Sequence, residues 1–121
     1  PVLLHADGRA ERVGDGGLPV GLLSDARWDR VDLQLRPGDR LAIVSDGFTE
    51  CTDPAGKILG EDGLLDMLAE EDALTGTALL DTILTRTERF AGGGEFADDM
   101  SAVLFAYDGP AAAPPMSAAG A

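Results

Sequence analysis

Residues 35–50 read LRPGDRLAIVSDGFTE, and this stretch decides the fold class. Pro37 and Gly38 favour a turn, because proline fixes its φ angle and glycine tolerates a positive one. Residues 41–44, Leu-Ala-Ile-Val, are apolar throughout, and the apolar run stops abruptly at Ser-Asp-Gly, residues 45–47. The stretch therefore predicts a turn, then a buried strand, then a polar loop at the end of that strand.

The flanking sequence predicts four further strands. Residues 1–13 favour a hairpin, because the pair Asp7-Gly8 lies between two short extended runs. Residues 28–35 alternate apolar and polar side chains, which is typical of a half-buried strand. Residues 101–107 form a last apolar stretch that predicts a closing strand.

Two helices are predicted between the central strand and the closing strand. Leucines at helical spacing indicate a short helix over residues 62–70 and a longer one over residues 77–91, which ends at a run of glycines. Strands, two helices and one more strand make an α+β arrangement rather than alternating β-α-β units. We therefore expect α+β architecture with a largely antiparallel sheet.

The length of 121 residues suits one domain. We expect the folded part to cover residues 1–107, whereas residues 108–121 form a loose tail rich in Ala, Pro and Gly with little to bury. The first residue is Pro1 rather than Met, which suggests a piece of a longer protein.

Charge and composition exclude several classes of function. There are 22 acidic and 9 basic residues, and the net charge of −13 opposes binding to nucleic acid or to an anionic membrane surface. A single cysteine, Cys51, forms no internal disulfide and is a poor zinc candidate. No apolar run approaches the ~20 residues of a membrane span. We expect a cytoplasmic protein without direct membrane contact.

Two acidic loops are the candidate site. Asp46 follows the apolar run at residues 41–44, and Asp98 and Asp99 precede the closing strand. If the two strands are neighbours, the loops meet, and clustered carboxylates repel one another unless a hard cation such as Mg²⁺ or Mn²⁺ neutralises them. Two other interpretations remain open: Asp46 as part of a simple Asp-Gly turn, and Asp98-Asp99 as a solvated connection.

The sequence resembles the C-terminal part of the bacterial stage II sporulation protein E class of phosphatases. These are serine phosphatases like protein phosphatase 2C, also called PPM-type. The resemblance rests on residues 35–50, on Gly60, on ADDMS at residues 97–101, and on the hairpin and LPVGLL at residues 18–23. It covers nearly everything before the tail. It implies a four-layer α-β-β-α sandwich, of which this chain is one portion.

The resemblance also implies a binuclear Mn²⁺ or Mg²⁺ site. Asp46 and Asp98 correspond to metal ligands, and a water activated by the ions attacks the phosphorus of phosphoserine or phosphothreonine. Gly47, Glu50 and Asp99 are expected next to these ligands. Glu50 is either a residue that orients a ligand or water or an exposed loop carboxylate, and Asp99 is either a second ligand or a cap of its own loop.

The N-terminal half of the family's domain, with a further acidic metal motif, is missing from this chain. We therefore expect the isolated piece to be inactive and to form dimers or larger assemblies through the open sheet. The class implies that the substrate is a phosphorylated regulator resembling an anti-anti-sigma factor. The alternatives are a noncatalytic, phosphatase-like interaction module and a simple divalent-cation-binding domain.

Overall fold

The computed structural model describes residues 1–93, 96 and 99–110. The predicted ligand Asp98 and residues 111–121 of the predicted tail lie outside the described residues. The elements, in chain order, are β1 (Val2–Leu4), β2 (Ala10–Arg12), β3 (Arg40–Val44), α1 (Asp46–Thr49), α2 (Gly60–Glu70), α3 (Gly76–Phe90) and β4 (Ala102–Ala106).

The described strands form one antiparallel sheet in the order β2-β1-β3-β4. The predicted hairpin joins β1 and β2, and its turn contains Gly8 at a φ of 92°, where a side chain would be strained. The register of β3 and β4 pairs Val44 with Ala102, so the end of β3 lies beside the start of β4. The sheet confirms the expected α+β class. Its register brings Asp46 and the described residues 99–101 to the same end of strands β3 and β4.

One face of the sheet packs against the helices and forms the core. Alternate residues of the strands point to this face because side chains in a strand alternate between its two sides. Helices α2 and α3 cover it, and the one-turn helix α1 adds a buried phenylalanine. The buried residues of this cluster are Val2, Leu4, Ala42, Phe48, Leu64, Met67, Leu68, Leu79 and Ile83.

The opposite face of β3 and β4 is open and apolar. The register places Ile43 beside Val103, and their side chains are 41% and 51% exposed; Phe105 on the same face is 55% exposed. The described strands and helices thus form two layers, and the side of β3 and β4 that faces away from the helices exposes an apolar surface.

The strand predicted over residues 28–35 is wrong, because these residues form no regular element. Trp28 and Val31 are 47% and 51% exposed, and the indole N–H of Trp28 donates to the carbonyl oxygen of Leu18 at 2.6 Å. A strand needs a neighbour that pairs its backbone N–H and C=O groups, and residues 28–35 join neither edge of the described sheet. The alternating pattern does not by itself supply such a partner.

Candidate functional site

Asp46 stands at the point where β3 ends. Ser45 is still extended, with φ −77° and ψ 165°, and Asp46 is the first residue of α1. The polar loop expected here is therefore wrong in detail: the chain makes one helical turn, closed by the amide N–H of Glu50, which donates to the Asp46 carbonyl oxygen at 2.8 Å. The reason is Phe48, which is only 3% exposed and draws the turn towards the core.

The Asp46 carboxylate is exposed to solvent at this turn. Within the described part of the chain, its two oxygens accept no hydrogen bond and face no cation in an ion pair. The hydroxyl of Thr49 donates to the backbone carbonyl of Asp46, at 3.3 Å, and leaves the carboxylate untouched. Both carboxylate oxygens therefore remain available to a ligand.

Residues 99–101, before β4, are hydrogen-bonded to Ser45 at the end of β3. The amide of Ser45 donates to the carbonyl of Ser101 at 2.8 Å, and the amide of Ser101 donates to Ser45 Oγ at 2.9 Å. The Ser45 hydroxyl in turn donates to the carbonyl oxygen of Asp99 at 3.3 Å. The expected meeting of the two acidic loops is confirmed for the segments that carry Asp46 and Asp99. The position of Asp98 is not among the described ones.

Gly47 is where the two segments come closest. A Cβ atom at this position would lie 2.4 Å from the Asp99 carbonyl oxygen and 3.1 Å from Met100 Cγ. Gly47 is buried and does not have a positive φ angle. The glycine is thus required for space rather than for a left-handed turn, which argues against the simple Asp-Gly turn that the sequence left open.

Glu50 lies at the C-terminal end of α1 and is exposed. Its backbone amide closes the turn on Asp46, and its carboxylate has no hydrogen bond or ion pair with another described residue. The geometry places Glu50 one helical turn after Asp46. Whether its carboxylate orients a ligand or water stays a prediction.

On the helix side of Asp46 there is a cavity of about 240 Å³. Thr49 and Asp62 contribute to its wall, and Arg12 and Glu61 form an ion pair there, with Nη1 and Oε2 2.7 Å apart. Apolar side chains from the sheet and α2 also line it. Asp46 thus lies between the fastened 99–101 segment and an open, mixed polar and apolar cavity.

The donor chemistry of this edge suits a hard divalent cation. Carboxylate and backbone carbonyl oxygens, as supplied by Asp46 and Asp99, are the ligands that Mg²⁺ and Mn²⁺ prefer. Among the described residues, however, no three His, Cys, Asp or Glu side chains come together in a group that could hold a metal ion. The described residues therefore fit such a site in ligand type but supply only part of the ligands it needs.

The family model of stage II sporulation protein E matches residues 1–108. The chain belongs to this family. The match spans the hairpin, the edge with Asp46, both long helices and β4, and so includes every described residue of the candidate site. The sequence resemblance, based on residues 35–50 and 97–101, is confirmed.

Two solved structures share the fold. The SiaA-PP2C domain of Pseudomonas aeruginosa superposes with a TM-score of 0.73 at 18% identity, over 88% of this chain and 43% of that one. The phosphatase domain of the cell fate determinant SpoIIE from Bacillus subtilis, in a crystal form without domain swapping, gives a TM-score of 0.59 at 23% identity. That match covers 94% of this chain and 50% of the other. The chain thus spans half or less of the length of these domains.

A comparison with curated protein sequences gave no significant match. Helix α3, with 15 residues, is the longest helix of the described part of the chain. None of the described helices combines the length and the apolar content that a membrane span requires.

Proposed function

We propose that the complete domain containing this chain is a metal-dependent protein serine/threonine phosphatase, with Asp46 and Asp98 as ligands of Mn²⁺ or Mg²⁺. One observation carries the proposal: an exposed carboxylate without a protein partner among the described residues stands beside the fastened 99–101 segment. Membership of the stage II sporulation protein E family supports the reaction class.

Each residue at this edge has a proposed task. Asp46 presents an anionic oxygen to the cation, and Gly47 lets the 99–101 segment approach it. Asp99 and Glu50 orient ligands or water around it. Bound Mn²⁺ or Mg²⁺ would supply a water of lowered pKa and neutralise charge on the transferring phosphoryl group. Without cations, a chain of net charge −13 repels a phosphorylated substrate, so Asp46 also contributes by recruiting positive charge.

The proposed substrate is a phosphoserine or phosphothreonine on a bacterial regulatory protein of the anti-anti-sigma kind, in the cytoplasm. This rests on the family alone. The cavity beside Asp46 supports a protein substrate, because both apolar and charged side chains line it next to the proposed metal site. Side chains that flank the phosphorylated residue would bind there.

The direct test measures Mn²⁺-dependent hydrolysis of a phosphoserine peptide by the complete domain. Hydrolysis should be lost on chelation and in the variants Asp46→Asn and Asp98→Asn, while their far-UV circular dichroism stays normal. Near-normal turnover by Asp46→Asn would show that Asp46 is not a ligand. Mn²⁺ binding without any hydrolysis by the wild type would favour a cation-binding or noncatalytic phosphatase-like module instead.

The isolated 121-residue chain is proposed to self-associate or unfold and to lack robust activity. The support is the open apolar face with Ile43, Val103 and Phe105, which are 41%, 51% and 55% exposed. Such a face promotes association with another chain. Sedimentation should show dimers or larger species, and Phe105→Ser should reduce them. A monodisperse monomer with a cooperative melt and normal turnover would contradict this proposal.

A further inference from the structure

Ser45 is the residue that links the two acidic segments through its side chain. Its hydroxyl oxygen accepts the amide N–H of Ser101 at 2.9 Å, and its hydroxyl hydrogen is donated to the carbonyl of Asp99 at 3.3 Å. A hydroxyl is one of the few side-chain groups that donates and accepts at the same atom. Ser45 therefore holds two backbone groups of the 99–101 segment at once.

These bonds are in addition to the regular strand pairing. The backbone amide of Ser45 already donates to the carbonyl of Ser101 at 2.8 Å, one step beyond the last register pair of β3 and β4. Strand pairing alone would fix Ser101, but it does not reach Asp99. The Ser45 hydroxyl extends the attachment by two residues, as far as the acidic segment itself.

The hydrogen bonds of the Ser45 hydroxyl lie next to Asp46 in the chain. Ser45 precedes Asp46 directly, and Gly47 has room for only a hydrogen where a Cβ would lie 2.4 Å from the Asp99 carbonyl oxygen. The same carbonyl is thus held by Ser45 on one side and approached by Gly47 on the other. Any shift of the 99–101 segment changes its position relative to Asp46.

We infer that Ser45 is a positioning residue for the metal site: its hydroxyl sets the distance between Asp46 and the acidic segment around Asp99. The inference rests on the proposed metal-dependent function. Ser45 itself touches neither metal nor substrate. It acts as the outer-shell hydrogen-bonding partners of metal ligands do, whose removal lowers metal affinity by roughly 10- to 100-fold.

The test compares substitutions at position 45 in the complete domain. Isothermal titration with Mn²⁺ alone measures the metal affinity, and thermal melting in EDTA measures the stability of the metal-free fold. Ser45→Ala should lower Mn²⁺ affinity by roughly 10- to 100-fold. Ser45→Thr, which retains a hydroxyl, should restore it. Ser45→Cys keeps the shape but hydrogen-bonds weakly, so its affinity should fall too; it decides the matter if the alanine variant does not fold.

Ser101→Ala is the matched control. It removes the side-chain hydroxyl of the residue whose backbone amide donates to Ser45 Oγ, and leaves the Ser101 backbone groups that Ser45 contacts. No hydrogen bond of the Ser101 hydroxyl itself is found among the described residues. Mn²⁺ affinity should therefore stay at the wild-type value.

The outcomes separate the two proposals. If the wild-type domain binds no Mn²⁺, the proposed metal-dependent function fails. If the wild type binds Mn²⁺ and Ser45→Ala binds it equally well while melting earlier in EDTA, Ser45 has a structural role only and the inference is overturned. Loss of affinity in Ser45→Ala and Ser45→Cys, with recovery in Ser45→Thr and none lost in Ser101→Ala, supports it.

Discussion

The two ends of strand β3 each carry an aspartate next to a glycine, and the two aspartates are used in opposite ways. Before the strand, Asp39 follows Gly38 and is only 3% exposed; its two carboxylate oxygens accept the amides of Ala6 and Arg36 at 2.9 and 2.8 Å. After the strand, Asp46 precedes Gly47 and is exposed, without a carboxylate partner among the described residues.

The difference lies in the hydrogen-bond partners and not in the residue type. Both carboxylate oxygens of Asp39 are used in hydrogen bonds that connect the turn before β3 to the β1–β2 hairpin. The backbone amides of Arg36 and Ala6 lower the pKa of this carboxyl. Asp46 adds nothing comparable to the fold. Asp46 lies at the end of β3, where the segment with Asp99 is held close, and its carboxylate makes no hydrogen bond with a described residue. It is therefore the better candidate for a metal ligand.

The same substitution at the two ends of β3, made in the complete domain, should have opposite effects. Asp46→Asn should reduce Mn²⁺-dependent hydrolysis of a phosphoserine peptide by at least ~100-fold, because the effect of losing a ligand exceeds that of losing its outer-shell partners. Its melting temperature in EDTA should hardly change. Asp39→Asn should instead lower the melting temperature while each folded molecule retains its turnover.

Equal losses of turnover in the two variants, at matched folded fractions, would contradict the assignment of a structural role to Asp39 and a ligand role to Asp46. Such a result would mean that both aspartates serve one site. A fall in stability of Asp46→Asn as large as that of Asp39→Asn would likewise show that Asp46 has a structural partner.

Much of this frame follows from sequence periodicity. The apolar run at residues 41–44 predicts β3, found as Arg40–Val44, and leucine spacing predicts the helix found as Gly60–Glu70. Both depend on neighbours within one turn or one strand, so a local pattern suffices. The strand predicted over residues 28–35 fails because alternation indicates a half-buried environment but does not supply the pairing partner.

The site is only partly predictable for the same reason. Asp46 is conspicuous because it ends an apolar run, and the neighbouring strands explain why its segment meets that of Asp99. Ser45 escapes prediction, since its side chain bonds with residues 54 and 56 positions further along the chain. Nothing local distinguishes this serine from a surface one, and only the register of β3 and β4 reveals it.

The glycines at the two ends give the next test. Gly47→Ala places a Cβ 2.4 Å from the Asp99 carbonyl oxygen and should cost about 1–3 kcal/mol of unfolding free energy through overpacking. It should also weaken Mn²⁺ binding, because it pushes the 99–101 segment away from Asp46. Chemical unfolding and Mn²⁺ titration of the complete domain measure the two effects.

Gly38→Ala is the control at the other end of β3. Its φ of 91° makes alanine strained, at a cost of roughly 1–2 kcal/mol. Stability should therefore fall by a similar amount, but Mn²⁺ affinity should not. If both glycine variants lose Mn²⁺ affinity equally, the loss reflects general destabilisation and the local role of Gly47 is refuted.

A smaller effect concerns the pH dependence of stability. The folded-state pKa of Asp39 lies below its ordinary value of 3.8, so the ionised form stabilises the fold. This contribution is complete above the unfolded-state pKa, near pH 4, and is lost as the pH falls through the lowered folded-state pKa. The wild type should therefore lose more stability than Asp39→Asn between pH 7 and low pH, as measured by thermal melts. Parallel pH profiles would show that the Asp39 hydrogen bonds do not favour its charged form.

The smallest effect is expected at Glu50, whose substitution tests whether the proposed metal site extends beyond Asp46 to the end of α1. Glu50 is exposed, one turn after Asp46, and its amide already serves to close that turn. The variant Glu50→Gln keeps this amide and the shape of the side chain and removes only the charge. If the carboxylate orients water or a ligand from outside the metal shell, turnover should fall by no more than roughly 10-fold, the lower end of the range for such partners. Stability should not change, because the carboxylate has no partner among the described residues.

Unchanged turnover would leave Glu50 as a solvated charge, whereas a loss as large as that of Asp46→Asn would make it a ligand. In that case two carboxylates, and not one, distinguish the open end of β3 from the closed end at Asp39.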